Sequence, residues 1–126
     1  MLKIVVYTDS NLLIPKKFGA FTRAFFIFIR TKYKDDTALL EHELVHVRQF
    51  WRTFGLSLLL YSLSKKYRLT AEVEAYQIQL QVHERVDTLP NEEMDAVRLL
   101  YADFISTKYG LDISTVDAYR LLQPVQ

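Results

Sequence analysis

The chain predicts an α+β fold, with a small N-terminal antiparallel β-sheet followed by a helical bundle. Three observations carry that expectation. The first third holds short runs of β-branched and aromatic residues, and the remainder repeats its apolar residues at helical spacing. Capping and turn residues fall between those runs. The 126 residues are enough for one domain with its own core, and no stretch resembles a linker, so 1–126 reads as a single domain.

The elements follow in order. KIVVY (3–7) and AFFIFIRTKY (24–33) read as strands. The segment between them holds Pro15 and Gly19, which suit turns, and a further short strand near 18–22. Asp35, Asp36 and Thr37 can cap a helix over 38–53 that Gly55 punctuates. A second helical piece spans 56–64. Thr70 suits the cap of a third over 71–85, and Asn91, after the break at Leu89-Pro90, the cap of a fourth that ends at Gly110. Ser114 and Asp117 form an acidic variant of the capping box for a last short helix before Pro124.

Half the residues are apolar and a quarter charged, the balance of an ordinary globular chain. No cysteine is present, which excludes disulfides and thiolate metal sites and leaves His, Asp and Glu as ligands. That composition, and a start (MLKIVVYTDS) that lacks the pattern of a signal peptide, fit a cytoplasmic location. The longest uncharged run, TFGLSLLLYSLS (53–64), is shorter than the roughly 18–20 residues of a spanning helix. It reads as a buried helix, with contact to a membrane surface the lesser reading. Residues 1–34 carry seven basic side chains against Asp9 alone, which suits a solvated rim around the sheet; no nucleic-acid signature accompanies them.

The helical wheel of 38–54 has three arcs. Leu40, Leu44, Val47, Trp51 and Phe54 make an apolar stripe, and Glu41, Arg48 and Arg52 a charged arc. His42, His46, Gln49 and Thr53 lie nearly opposite the leucines, with Leu39 and Phe50 between. In HELVH (42–46) the i, i+4 spacing puts both imidazoles on one face, one turn apart, where they can close on a single ion. Glu43 is rotated about 100° from His42, free to take the proton of a metal-bound water.

HELVH matches the HExxH motif of zinc metallopeptidases, including the uncharged Leu44 and Val45; Arg48 stands where the longer consensus has an apolar residue. Catalytic zinc normally has three protein ligands. Glu72-Val73-Glu74-Ala75 resembles the ExxA of gluzincins, which implies Glu72 as the third. Glu74, about 200° away around the helix, is the fallback. HELVHVRQ with EVEAY is similar to small bacterial and phage-type proteins of HExxH...ExEA pattern, over about residues 18–80. The resemblance implies a minimal zincin-like metallopeptidase domain in which the strand before the HExxH helix, here AFFIFIR, lines the cleft. Residues 86–126 match no family pattern.

His83 is the competing ligand, but on a continuous helix it lies about 16 Å along the axis from Glu72, so it reads as a surface or capping histidine. Tyr76, one turn beyond Glu72, is the candidate oxyanion stabiliser, with Tyr67 and Arg68 behind it. Gln49 suits an outer contact to the ligands. Trp51 and LSLLLYSL read as core.

The leading expectation is zinc-dependent hydrolysis of a peptide or other amide bond. His42, His46 and Glu72 hold Zn²⁺, and Glu43 is the general base. A peptide or protein substrate, presented by a partner protein, lies along residues 24–30 as an added strand. The alternatives are a metal-binding module without proteolysis, and a metal-free protein whose basic sheet binds an acidic partner.

Overall fold

In the computed structural model, which describes residues 1–124, the chain is α+β. Three short strands, β1 (Ile4–Tyr7), β2 (Ala20–Arg23) and β3 (Phe26–Ile29), are followed by a 3-10 turn at Thr31–Tyr33 and five helices. The helices are α1 (Thr37–Arg52), α2 (Leu56–Leu63), α3 (Lys65–Arg85), α4 (Asn91–Lys108) and α5 (Thr115–Leu121).

The sheet is mixed rather than wholly antiparallel, in the order β1-β3-β2. β2 and β3 form a hairpin with Arg23 opposite Phe26, closed by Ala24 at φ 56°. β1 pairs parallel to β3, Ile4 opposite Phe26, because residues 8–19 cross over before β2 begins. Arg30 organises that crossover. Its guanidinium donates to the carbonyls of Phe18 (2.9 Å), Asp9 (3.2 Å), Ile14 (3.1 Å) and Pro15 (3.2 Å), and to the Asn11 side chain (3.1 Å). Arg30 is therefore a tie between segments, not part of a solvated rim.

The sheet packs on α1 through Ala20, Ile27, Ile29, Leu44 and Val47. Each buried Val, Leu or Ile contributes about 1.5–3 kcal/mol. A second core joins α3, α4 and α5 around Tyr76, Leu80, Tyr101, Ile105 and Leu122. Between the two, α1 lies against α3, where Ala71 and Ala75 are buried and their small side chains permit close approach.

Several boundaries differ from expectation. Strand 24–33 is broken at both ends, since its first residues make the hairpin turn and its last the 3-10 turn. α3 begins at Lys65, six residues early, because Ser64 is its cap, its hydroxyl accepting from Tyr67 N (3.1 Å). Thr70 lies inside, donating to Lys66 O (3.0 Å). α4 starts at Asn91 after Pro90 in the cap position, with no side-chain cap. Asp36 caps α1 through Leu39 N (3.0 Å), and Ser114 caps α5 through Asp117 N (3.0 Å), as the sequence suggests.

Two segments read as core are not. Trp51 is partly exposed, its ring stacked on Phe25 and its Nε1 donating to Leu2 O (2.9 Å), and Phe54 is 96% exposed. α2 is inverted: Ser57 is buried while Leu56, Leu58, Leu59 and Leu63 face outward. No helix among the described residues is long and apolar enough to cross a membrane.

Candidate metal centre

α1 and α3 bring three ligand types together. His42 and His46, one turn apart on α1, meet Glu72 of α3, with His42 Nε2 3.3 Å from Glu72 Oε1 and His46 Nε2 3.3 Å from Oε2. One donor atom from each residue lies within 4.8 Å of the others. Glu72 is only 2% exposed. Glu74, the fallback third ligand, points the other way, accepting from Gln49 Nε2 (2.9 Å) and Arg52 Nη2 (3.1 Å).

These residues fit a small divalent cation. Two atoms held at about 2.0–2.1 Å from one zinc at the tetrahedral angle stand about 3.3–3.4 Å apart, and each imidazole lies 3.3 Å from one of the two Glu72 oxygens, His42 from Oε1 and His46 from Oε2. Glu72 Oε1 is buried with no hydrogen-bond partner among the described residues, an acceptor that suits a cation ligand. The set of two nitrogens and one carboxylate oxygen suits zinc.

Gln49 orients His46. Its Nε2 donates to Ala71 O (3.1 Å) and to Glu74, both of which can only accept, so its Oε1 must accept from His46 Nδ1 (2.9 Å). His46 is thereby protonated on Nδ1, and in the neutral ring Nε2 offers its lone pair to the centre. His42 Nδ1 has no such partner among the described residues.

The electrostatics show how tightly the groups couple. Burial opposes a charged His46, but the Glu72 carboxylate, with a smaller contribution from Glu43, outweighs it and raises the imidazole to about 9. Burial likewise disfavours ionised Glu72, yet the two imidazoles hold its carboxyl well below the usual range.

Glu43 is buried beside the ligands and accepts from Thr22 Oγ1 (2.5 Å) on β2. It lines a cavity of about 260 Å³ together with His42, His46, Glu72, Thr22 and Tyr61. A second cavity of about 320 Å³ shares His42 and Glu43 but is walled by α3 and α4.

Tyr76 does not turn toward the ligand cluster. Its ring stands edge-on to His42 (4.3 Å between centroids), and its hydroxyl is paired with that of Tyr109 (2.7 Å). Tyr61 of α2 occupies the position expected of Tyr76, donating to Glu72 Oε2. Burial, reinforced by Glu72, keeps its phenol protonated far above neutral pH. Tyr67 borders the first cavity, and Arg68 backs Tyr61 while donating to Tyr109 O (3.2 Å). Tyr61 lies within LSLLLYSL, where a tyrosine among leucines reads as packing; its spacing from Ser57 and Ser64, a polar stripe on an apolar helix, is the signal that points to it. Thr22 has no such signal.

His83 stays apart, bridging Asp87 (2.8 Å) and the Tyr101 hydroxyl (2.7 Å) to tie the end of α3 to α4. Residues 24–30 cannot accept an added strand, because β3 is central and paired on both sides. The edge strand at the first cavity is β2, through Phe21, Thr22 and Arg23. In comparisons with known proteins, no family model, curated protein or solved structure matches the chain.

Proposed function

We propose that the chain is a zinc-dependent hydrolase of peptide or other amide bonds. The observation that supports this most directly is the meeting of His42, His46 and Glu72 at the wall of a cavity that also holds Glu43. Bound by those three residues, zinc would polarise the scissile carbonyl and acidify a water molecule.

The protein groups do the rest. Glu43 takes the proton of the attacking water and passes it to the leaving nitrogen. Thr22 fixes one of its oxygens and leaves the other free for that transfer. Tyr61, a phenol that stays protonated, is the donor nearest the ligand carboxylate and suits the developing oxyanion in place of Tyr76. The unpaired side of β2 suits an extended peptide. The absence of cysteine supports placing this activity in the reducing cytoplasm.

Elemental analysis of purified protein should find about one zinc per chain. Glu43→Gln should retain that zinc while cleavage of a fluorogenic peptide library is lost by about a hundredfold or more. Protein refolded with zinc that takes up none overturns the proposal; cleavage unchanged in Glu43→Gln removes the general-base role.

A further inference from the structure

Helix α2 presents the wrong face to water. Ser57 and Tyr61, one turn apart, turn inward, with Ser57 buried and Tyr61 bonded to Glu72, and the cap Ser64 continues that face; Ser62 is exposed and donates to Leu58 O. Its leucines turn outward: Leu56 is 52%, Leu59 55% and Leu63 75% exposed, with Leu58 also exposed. Just before them, Phe54 is held nearly bare at φ 52°, a left-handed conformation that disfavours a bulky side chain. Neither strain nor exposure helps the chain fold. A contiguous apolar strip of this kind marks an interaction surface.

The charge around the strip argues for its occupant. Along the sequence there is no carboxylate between Glu43 and Glu72, and Arg48, Arg52, Lys65 and Lys66 are basic, while Arg68 turns inward onto Tyr61 and the Tyr109 carbonyl. Lys66, three residues beyond Leu63, is exposed and has no ion-pair partner among the described residues. Arg52 and Lys65 pair at the surface with Glu74 and Asp112, contacts that solvent weakens. Apolar side chains flanked by lysine and arginine fit an anionic lipid surface, where the leucines enter the acyl boundary and the cations meet the headgroups. Size favours a bilayer over a second copy. Eight residues make a helix about 12 Å long and about 10 Å across, so its outer face is on the order of 100 Å², well short of the roughly 800 Å² per partner of a stable protein pair.

We infer that Phe54 and the outer face of α2 dock the protein on an anionic bilayer surface. α2 also walls the first cavity through Leu58 and Ser62, so docking brings the cavity mouth to the lipid interface.

Co-sedimentation with phosphatidylcholine vesicles containing roughly 30% phosphatidylserine tests this. The wild type should pellet with them, and binding should fall as salt rises. Leu59→Gln with Leu63→Gln should weaken binding by about tenfold or more while leaving the melting temperature unchanged, since both side chains are exposed. Protein that stays in the supernatant, or that binds pure phosphatidylcholine equally well, overturns the inference. So does a dimer in sedimentation equilibrium that the double variant abolishes without vesicle binding, because the strip then belongs to a second copy. The measurement reads neither zinc nor hydrolysis, so its outcome is separate from that of the metal proposal.

Discussion

Gln49 shows most clearly how one side chain organises the centre, because it joins His46, the Ala71 carbonyl and Glu74 while itself buried. Gln49→Leu strands the His46 N–H and removes a partner from Ala71. Unfolding should become easier by about 1–3 kcal/mol, and zinc affinity, followed by competition with a chromophoric chelator, should drop about 10–100-fold. The pH dependence belongs to the same scale. His46 is raised from 6.5 to about 9 in the folded chain, so the imidazolium stabilises the metal-free protein fully below about pH 6.5. That contribution, on the order of 1–3 kcal/mol, is lost as pH rises through about 9. Zinc must displace the same proton, so the gain in melting temperature on adding zinc should grow over that window. Paired melts at pH 6 and pH 9 check both slopes. The sequence makes His42 and His46 legible because four residues is one helical turn. It leaves Glu72 against Glu74 open, since the wheel separates them without saying which side meets α1. Thr22 escapes because 21 residues separate it from Glu43.

At the scale of elements, α1 is readable in its cap, its histidine arc and its terminal glycine, while its apolar stripe fails at the end, where Trp51 and Phe54 are exposed. α2 is misread for a physical reason: eight mostly leucine residues imply burial, but here the interior needs its serines and tyrosine. The turn before it carries two left-handed residues, Phe54 at φ 52° and Gly55 at φ 86°. Phe54→Asn should therefore stabilise the fold by about 0.5–1 kcal/mol, because asparagine tolerates that conformation and no buried contact is lost. Gly55→Ala should destabilise by about 1 kcal/mol or more, its Cβ meeting Phe50 at 3.3 Å in the same strained region. Chemical denaturation of both variants tests the opposed signs. The strands are visible as apolar runs, but their pairing is not, because a run of four residues does not specify its neighbour. That is why the middle strand looks like the free edge.

In the whole molecule, two hydrophobic cores lie on either side of the α1–α3 contact that forms the centre. The metal-free chain should remain folded, because those cores do not depend on the ligands. Chelation should lower the melting temperature without changing the far-ultraviolet spectrum, whereas zinc at a thousand times its dissociation constant should add about 4 kcal/mol. Composition and periodicity make the α+β division legible; the placement of the crossover at residues 8–19 depends on contacts distant in sequence. Those contacts run largely through Arg30, and Phe18, whose carbonyl that guanidinium grips, borders both cavities and packs against Phe21 and Tyr109. One side chain thus latches a crossover segment that lines both cavities. Lysine has no planar fork to replace it, and releasing that latch would loosen the chamber from a point that touches none of His42, His46 and Glu72.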